Sequence, residues 1–306
     1  MKVYVHPVLS EQERSYFTQA LESAVTLVFN DGSNDAHRAE NADIAIGNFD
    51  TDWIGNMAQL KVILLDSVGT DNFNGYQWSQ GSQVTVHNLN DFFSVPVAEE
   101  AVASLLSVYR QLPALNCAQR ESQWAKDQIR MTKRLLAESK VLLVGYGNIA
   151  QRIEHLLTPF GCEIEKFDRK DMALMGRGGL KGKVSAHDIT ISTIPATEES
   201  FELFDDELFS AMPDNAVFMN LGRGNVVDED ALARKATQNK AFNACLDVTK
   251  QEPLPASSAL WQLPNVWLTQ HTGGGCETEN YKKIDVYTRQ IQRLLAGLPL
   301  NNQVQF

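Results

Sequence analysis

The chain alternates short apolar runs with polar or amphipathic segments along its whole length. In the first hundred residues the apolar runs are rich in β-branched residues and are typical of buried strands: KVYVHP, VTLVF, ADIAIGN, KVILLDS and VTVHN. Polar segments of helix or turn character separate them. This alternation predicts a parallel sheet that is covered by helices.

A second block of strands begins at Lys140, after a segment with helical spacing. In residues 97–113 apolar side chains recur every three or four positions, and Pro113 is expected to end the helix. The polar stretch 116–139 is interpreted as a connection with some helix. Further strand candidates follow in the order KVLLVG, EIEKFD, DITIST, AVFMNLG, AFNACLDV and NVWLTQ. This series predicts a doubly wound sheet of the Rossmann type.

Two other segments complete the pattern. MGRGGLKGK, residues 175–183, is predicted to be a surface loop because glycine favours turns over regular elements. ETENYKKIDVYTRQIQRLLAG, residues 277–297, has apolar residues at helical spacing and predicts a final amphipathic helix.

Composition narrows the range of partners. The chain has 306 residues, which suggests two domains, and its formal net charge is -11. Nucleic acids and anionic membrane surfaces attract basic patches, so neither is expected as a partner. No apolar run approaches the length of a membrane span, and the N-terminus does not resemble a signal peptide.

The cysteines and histidines give no sign of a metal site. Cys117, Cys162, Cys245 and Cys276 are scattered and form no C-x-x-C pair. This favours a reduced, cytoplasmic protein without disulfides or a zinc site. No group of histidines, cysteines and carboxylates has metal-ligand spacing, so no metal is expected.

The first candidate for chemistry is a glycine turn in KVLLVGYGNIAQRIEHLL, residues 140–157, where a predicted strand leads into an amphipathic helix. Gly145 permits the tight turn. Gly147 allows the backbone to approach a pyrophosphate, whose charge the helix N-terminus stabilises. Ala150 occupies the position of the third glycine of such turns. The turn alone is weak evidence for a dinucleotide site, because structural turns between a strand and a helix also contain glycine.

An acidic residue at the end of the next predicted strand strengthens the dinucleotide interpretation. Asp168 lies at the expected offset and can accept hydrogen bonds from the adenosine ribose hydroxyls, which favours NAD over NADP. Arg169 and Lys170 follow it directly and could bind a 2′-phosphate. The sequence therefore leaves NADP open as the cofactor.

Charged residues also follow the last three predicted strands: Arg223, then Asp247 and Glu252, then His271. We expect them to converge on the edge that carries the glycine turn, because ligands bind beyond the carboxyl ends of strands in an open α/β sheet. Arginine can clamp a carboxylate, and histidine can exchange a proton near neutral pH. Each alone could be a surface charge or a core histidine, but their combination predicts a catalytic site.

Several motifs resemble those of the D-isomer-specific 2-hydroxyacid dehydrogenases, over nearly the whole chain. They are DSVGTDNF at 66–73, VPVAEEAVASLLSVYR at 95–110, VGYGNIAQRI at 144–153, STIPATEESFELF at 192–204, MNLGRGNVVDEDAL at 219–232, CLDVTKQEPLP at 245–255 and LWQLPNVWLTQHTGG at 260–274. The resemblance implies an α/β fold of two doubly wound parallel-sheet domains. A Rossmann cofactor domain (95–278) would be inserted into a flavodoxin-like substrate domain (1–94 and 279–306), and the protein would be a homodimer.

The resemblance also implies roles for individual residues. Arg223, Glu252 and His271 are expected to be catalytic. The backbone of Val68 and Gly69, together with Arg223, is expected to hold the substrate. The residues expected to bind the cofactor are Gly145, Gly147, Asn148, Ile149, Asp168, Leu221, Gly222, Asp247, Gly273 and Gly274.

Two departures from the family pattern lie beside the catalytic histidine. Gln270 stands where the family usually has proline, and Thr272–Gly275 replaces a run that usually contains alanine. These departures affect the expected shape of the pocket more than the expected mechanism.

The sequence therefore predicts an NAD-dependent oxidoreductase that transfers a hydride between nicotinamide and C2 of a small 2-hydroxy or 2-keto acid. His271 would be the general acid and base of this reaction. A binding protein that senses NAD(H) through the same fold, with little turnover, is the alternative hypothesis.

Overall fold

Two parallel sheets organise the computed structural model, which describes residues 1–21, 25–33, 35–73 and 75–305. The first sheet has the order β2-β1-β3-β4-β5. Its strands are β1 (Lys2–Val5), β2 (Thr26–Phe29), β3 (Ile44–Ile46), β4 (Val62–Leu64) and β5 (Thr85–His87). This is the strand order of flavodoxin-like folds.

The second sheet has the order β11-β10-β9-β8-β6-β7, and its pairs are also parallel. Its strands are β6 (Lys140–Val144), β7 (Glu163–Phe167), β8 (Ile189–Ser192), β9 (Val217–Asn220), β10 (Asn243–Leu246) and β11 (Val266–Leu268). Each sequence run predicted to be a strand contains one of these strands. The predicted class, two parallel-sheet α/β domains, is therefore confirmed.

Helices connect the strands, as the alternating pattern predicts. They are α1 (Glu11–Leu21), α2 (Ser94–Tyr109), α3 (Leu112–Arg120), α4 (Lys126–Arg130), α5 (Asn148–Leu157), α6 (Arg169–Ser185), α7 (Asp206–Ala211), α8 (Glu229–Gln238) and α9 (Glu279–Leu295). Short 3-10 helices lie at Ala36–Ala39, Thr51–Asn56, Asp71–Phe73, Leu136–Glu138, Thr158–Phe160, Gly224–Val226 and Ala259–Gln262. Among the described residues, no helix is both long enough and apolar enough to cross a membrane.

The chain divides into two compact units. We call Met1–Phe93 with Cys276–Phe306 the terminal unit, and Ser94–Gly275 the central unit. In the terminal unit α9 contributes Ile284, Tyr287 and Ile291 to a core that also contains inward residues of β1, β3 and β4. In the central unit the inner strands β6, β8, β9 and β10 are almost entirely buried, and a large apolar cluster packs against the second sheet.

The glycine-rich stretch 175–183 is helical, so the prediction of a surface loop is wrong. It lies within α6, which bends at Gly176, where φ is +60°. Leu180 and Val184 are fully buried on one face of the helix. Asp168 caps its N-terminus, accepting hydrogen bonds from the N–H groups of Lys170 and Asp171. Burial and capping outweigh the weak helix propensity of the glycines.

Pro113 does not end the preceding helix, which corrects a second expectation. Helix α2 ends at Tyr109, and Pro113 lies in the first turn of α3. A proline is tolerated there because the first N–H groups of a helix have no intrahelical partner. The break comes instead at Gln111, whose φ is +57°.

Candidate active site

The glycine turn joins β6 to α5 as the sequence predicts. Gly145 has φ +86°, and its N–H donates to the carbonyl oxygen of Phe167 at 2.9 Å. Gly147 is the N-cap residue of α5, and no side chain caps this helix. A Cβ atom built on Gly147 would meet no heavy atom within 4 Å. The helix N-terminus therefore faces open space with its first N–H groups uncapped, which fits a pyrophosphate.

The turn is packed closely against the loop that follows β8. A Cβ atom on Gly145 would lie 2.8 Å from Ile194 Cγ2, and one on Gly222 would lie 2.3 Å from the Ile194 carbonyl oxygen. Strands β6 and β8 are neighbours in the sheet. The connection after β6 leads to β7 on one side, and the connection after β8 leads to β9 on the other side. Such a reversal of strand order is the topological switch point where ligands bind in these sheets. Glycine at both positions allows the two loops to meet beside that crevice.

Three more of the predicted cofactor residues, Asn148, Ile149 and Asp168, lie around the turn. Asn148 is exposed, Ile149 is half-buried and Ala150 is fully buried against the sheet. Asp168 lies at the end of β7, and its Oδ1 accepts the two capping hydrogen bonds of α6, at 2.7 and 3.2 Å. These backbone hydrogen bonds, with the nearby Lys170 and Lys166, lower the pKa of Asp168. The second oxygen, Oδ2, accepts no hydrogen bond from the described residues.

Asp247 is buried immediately after β10. Its Oδ1 accepts hydrogen bonds from Thr269 Oγ1 at 2.6 Å and from the N–H of Gly273 at 3.1 Å. A Cβ atom on Gly273 would lie 2.8 Å from Asp247 Oδ2. Gly273 therefore lets the loop after β11 close over a buried carboxylate, while Gly274 next to it is half-buried. One carboxylate oxygen remains able to accept a hydrogen bond, as a carboxamide would require.

Glu252 and His271 form the central contact of the site. His271 Nδ1 lies 2.7 Å from Glu252 Oε2, and Glu252 Oε1 accepts a hydrogen bond from the N–H of Thr249 at 3.0 Å. A carboxylate at Nδ1 fixes the orientation of the imidazole and favours a proton on that nitrogen. Nε2 is then the atom that can exchange a proton with a ligand. The two residues, which the sequence predicted to converge on one sheet edge, are in contact here.

The backbone that carries His271 is unusual. Gln270 and His271 have φ values of +55° and +58°, in the left-handed region. The His271 N–H donates to the Asp247 carbonyl oxygen at 2.5 Å. A proline at position 270 could not adopt this conformation because its ring fixes φ near −65°. The departure from the family pattern at Gln270 therefore accompanies a different local turn.

Arg223 lies in the loop that follows β9. The buried amide of Asn220 spans this loop: its Oδ1 accepts from the N–H of Gly222 at 3.2 Å, and its Nδ2 donates to the Arg223 carbonyl oxygen at 2.9 Å. Leu221 is buried beneath the same turn. The Arg223 guanidinium donates to the Gly222 carbonyl oxygen at 2.9 Å.

The loop with Arg223 packs directly on the loop with Glu252. A Cβ atom on Gly224 would lie 2.0 Å from backbone atoms of Thr249 and 2.4 Å from the nitrogen of Lys250. That nitrogen donates to Glu229 Oε1 at 2.5 Å. Burial raises the pKa of Glu229, against the effect of Lys250. The two loops are thus held in contact by a glycine on one side and a half-buried carboxylate on the other.

Sequence reasoning missed these supporting residues. They are Asn220, Thr249 and Glu229. None of them is expected to contact the cofactor or the substrate, and nothing in a single sequence distinguishes them from other polar residues. The one available signal for Asn220 was its polar side chain at the end of an otherwise apolar strand, AVFMNLG. Such an amide is buried only when it has backbone partners.

In the terminal unit the predicted substrate residues lie in the loop after β4. The carbonyl oxygens of this loop have partners: Val68 O accepts from Asn88 Nδ2 at 2.7 Å, and Gly69 O accepts from Ser67 Oγ at 2.7 Å. The N–H groups of Val68 and Gly69 donate to none of the described residues. Two adjacent unpaired N–H groups can hold an anion.

The described part of the chain contains no group of three or more His, Cys, Asp or Glu side chains placed to hold a metal ion. Cys245, in β10 below Asp247, is fully buried, and burial raises the pKa of its thiol to about 12. It is therefore unsuited to act as a nucleophile.

Comparison with known proteins identifies the family of the chain. Residues 102–273 match the family model of the D-isomer specific 2-hydroxyacid dehydrogenase, NAD binding domain. A glyoxylate/hydroxypyruvate reductase A of Arabidopsis thaliana is 29% identical over 255 residues, which cover 82% of this chain and 80% of that protein. D-3-phosphoglycerate dehydrogenase of Synechocystis is 29% identical over 253 residues, which cover 81% of this chain but only 45% of that longer protein.

A solved structure resembles the chain over nearly its full length. It is a D-isomer specific 2-hydroxyacid dehydrogenase from Xanthobacter autotrophicus Py2 in complex with NADPH and MES, with a TM-score of 0.80 and 25% identity. The match covers 99% of this chain and 98% of that one. The family model covers more than half of the 306 residues. The chain therefore belongs to the D-isomer specific 2-hydroxyacid dehydrogenase family.

Proposed function

We propose that this protein is an oxidoreductase that uses NAD(H) to interconvert a small 2-keto acid and its 2-hydroxy acid. The observation that carries the proposal is the 2.7 Å contact between Glu252 and His271, at the same sheet edge as an uncapped glycine turn. The turn fits a dinucleotide, and the imidazole fits proton transfer to a carbonyl oxygen.

In the reducing direction a bound nicotinamide supplies the hydride to C2 of the keto acid. His271 Nε2 donates the proton that the C2 oxygen takes up as it becomes a hydroxyl. Glu252 stabilises the protonated imidazole before the transfer and orients it through Nδ1. Arg223 pairs with the substrate carboxylate and polarises the carbonyl group. One hydride and one proton are consumed for each hydroxy acid formed.

The residues of the central unit fit the cofactor. Gly145, Gly147, Asn148 and Ile149 would meet the pyrophosphate, and Asp247 would accept a hydrogen bond from the carboxamide through Oδ2. Leu221, Gly222, Gly273 and Gly274 would line the nicotinamide pocket. We therefore assign residues 95–278 to cofactor binding, and residues 1–94 and 279–306 to the substrate.

NAD is the preferred cofactor in this proposal. Asp168 Oδ2 is available for ribose hydroxyls, and its charge would repel a 2′-phosphate. Arg169 and Lys170 are exposed beside it, and the related Xanthobacter structure holds NADPH, so some use of NADPH is expected. Replacing Asp168 with Asn keeps an acceptor for the α6 cap, removes the charge, and should improve NADPH relative to NADH.

The substrate loop of the terminal unit supports the choice of an anionic substrate. The unpaired N–H groups of Val68 and Gly69 would bind the carboxylate, in addition to Arg223. The partner is therefore a small-molecule 2-keto or 2-hydroxy acid. Neither nucleic acid nor membrane is expected as a partner at a net charge of -11.

We also propose a cytoplasmic homodimer. In the central unit the segment from Leu112 to Leu135 exposes apolar side chains, above all Trp124 and Met131, which are 90% and 82% exposed. Exposed apolar side chains grouped in one segment are typical of a protein interface. The four cysteines are free thiols, as expected in a reducing compartment. Light scattering should give twice the chain mass for the wild type and the chain mass for a Trp124→Lys variant.

The function is tested by following oxidation of NADH, and separately of NADPH, with glyoxylate, hydroxypyruvate, pyruvate and branched 2-keto acids. Rapid oxidation with one acid would support the enzyme and name its substrate class. NADH binding without turnover on any of these acids would favour the alternative, a protein that senses NAD(H) through a dehydrogenase fold.

A further inference from the structure

A buried group of charges in the terminal unit is not used by the reaction described above. Lys283, on α9, is only 8% exposed. Its Nζ lies 2.9 Å from Asp66 Oδ1 and 2.6 Å from Glu279 Oε1. The hydroxyl of Tyr287, one turn further along α9, donates to the same Asp66 oxygen at 2.9 Å. Phe93 closes one side, with its ring centroid 5.2 Å from the ammonium.

The charges of this cluster depend on each other. Burial disfavours the charged form of Lys283, yet Asp66 and Glu279 outweigh this and raise the pKa of the ammonium. Burial, with the Asp66 charge beside it, raises the pKa of Tyr287 well above its usual value, so the phenol remains a hydrogen-bond donor. An unpaired buried charge would be costly, so the ammonium and the carboxylates are held as a unit.

Asp66 connects this cluster to the candidate substrate loop. It lies two residues after the end of β4 and precedes Ser67, Val68 and Gly69. Its N–H donates to Asn48 Oδ1 at 3.2 Å, and its carboxylate is fastened to α9. A side chain two residues from Val68 places a negative charge within about 10 Å of any anion held by that loop.

We propose that Lys283 is a positioning residue for substrate binding, which acts through Asp66 by neutralising the carboxylate charge that would otherwise repel a substrate anion held by the Val68–Gly69 loop. The proposal deepens the function proposed above and rests on it. It assigns to the last helix a role in recognising a monoanionic 2-keto acid.

A purely structural ion pair would behave differently. If Lys283 only stabilised the fold, loss of either partner would weaken the loop and affect substrate binding in the same direction. If it compensates charge, the two single substitutions act in opposite directions. Removing the Lys283 cation makes the charge beside the substrate carboxylate more negative. Removing the Asp66 anion makes this charge more positive.

The test compares Lys283→Met with Asp66→Asn. We expect Lys283→Met to raise KM by about tenfold, the size of effect for a unit charge about 10 Å away at an effective dielectric constant of about 20. Asp66→Asn should leave KM unchanged or lower it, since Lys283 keeps Glu279 and Tyr287 keeps an acceptor. The double variant should return KM to near the wild-type value. In all three, kcat should change little.

The inhibition constant of oxamate, an anionic analogue of a 2-keto acid, should follow KM, and the Kd of NADH should stay constant. Lys61→Met is the matched control. Lys61 Nζ lies 2.9 Å from Asp43 Oδ1, but this pair stands before β3 and β4, at the opposite edge of the same sheet. It should leave KM unchanged.

An increase in KM for Asp66→Asn, or an unchanged KM in folded Lys283→Met, would overturn the proposal. If Lys283→Met fails to fold, the sign of the effect in Asp66→Asn alone decides. Failure of the proposed function looks different, because the wild type itself would then oxidise no NADH with any 2-keto acid.

Discussion

In the central unit, the sheet edge beyond β9, β10 and β11 presents side chains: Arg223, Glu252 and His271. In the terminal unit, the edge beyond β4 presents backbone N–H groups, those of Val68 and Gly69. Both edges are carboxyl ends of parallel strands, where loops are free to carry function. In the proposed function the same architecture would therefore support two tasks: side chains of the central edge would transfer the proton, and backbone N–H groups of the terminal edge would join Arg223 in recognising the anion.

The two edges are also supported differently. The central edge depends on close backbone contacts, at Gly222, Gly224 and Gly273, and on a left-handed turn at Gln270 and His271. Left-handed residues other than glycine are costly and persist where surrounding contacts hold them. The terminal edge instead depends on side-chain contacts. Asn88 donates to a carbonyl oxygen of the loop after β4, and Asp66, at the start of this loop, is bound to α9. Apart from Arg223, which is also proposed to bind the substrate, substitutions at the central edge should therefore change kcat or cofactor binding, and those at the terminal edge should change KM.

The largest effect is expected from His271→Asn. Loss of the group that exchanges the proton should lower kcat by about a thousandfold, within the range found for general acid-base catalysis. Asparagine suits the local backbone because it tolerates positive φ better than most residues. The Kd of NADH, measured by quenching of protein fluorescence, should stay within about twofold. Turnover at the wild-type rate would show that His271 is not the proton donor.

The next effect concerns the glycine turn, where Gly147→Ala and Gly145→Ala form a matched pair. At Gly147 the added methyl group meets no protein atom, so the melting temperature should hold while NADH binding weakens by at least about tenfold, through obstruction of the pyrophosphate. At Gly145 the methyl group would lie 2.8 Å from Ile194 in a left-handed backbone, so stability should also fall, by about 1–2 kcal/mol. Calorimetry with and without NADH separates the two outcomes. Equal loss of stability in both variants would contradict the distinction.

Substitution of two asparagines, one at each sheet edge, compares the two edges directly. Asn88 holds the Val68 carbonyl oxygen in the terminal unit, and Asn220 holds the Arg223 loop in the central unit. Loss of one such hydrogen bond costs about 1 kcal/mol, a factor of roughly five. Asn88→Ala should raise KM by about this factor with kcat nearly unchanged, and Asn220→Ala should lower kcat. Steady-state kinetics on the best 2-keto acid would decide, and the comparison fails if both variants change the same parameter.

Much of this fold could be predicted from the chain because its buried strands are apolar, β-branched runs separated by polar segments. Each β-branched run became a strand, and the glycine turn gave the position of α5. The stretch 175–183 was misassigned because its glycines mask a helix that Leu180 and Val184 stabilise by burial. Local composition cannot show a tertiary contact of this kind.

The candidate site was predictable only in part, for a similar reason. Glu252 and His271 are 19 residues apart in sequence, and their order after successive strands indicated that they meet. The supporting residues lie elsewhere: Glu229, which holds the loop with Glu252, begins a helix, and Lys283, which pairs with Asp66 of the terminal unit, lies in the last helix. A lysine or glutamate on a helix looks solvent-exposed in sequence, and only the packing of the helix shows that it is buried.

The smallest effect is expected at Glu229, which tests how firmly the loop with Glu252 is held. Burial raises the pKa of Glu229, so its charged form is less favourable in the folded protein than in the unfolded chain. The resulting penalty is absent in acid, where both states are protonated, and it develops as the pH rises from the unfolded pKa through the folded pKa. Glu229→Gln keeps an oxygen for the Lys250 N–H and removes the charge. Its melting temperature should exceed that of the wild type near neutral pH and equal it at about pH 4.

Glu229→Leu is the contrasting variant for the same loop. It removes the acceptor itself and leaves the Lys250 N–H, now 2.5 Å from Glu229, without this partner. This N–H lies in the loop that carries Glu252 to His271, so kcat should fall by about threefold while the KM of the 2-keto acid stays constant. A rise in KM without a change in kcat would place Glu229 with the substrate contacts of the terminal unit. The proposed roles of the two sheet edges would then have to be revised, because the loop that carries Glu252 would be contributing to recognition of the anion.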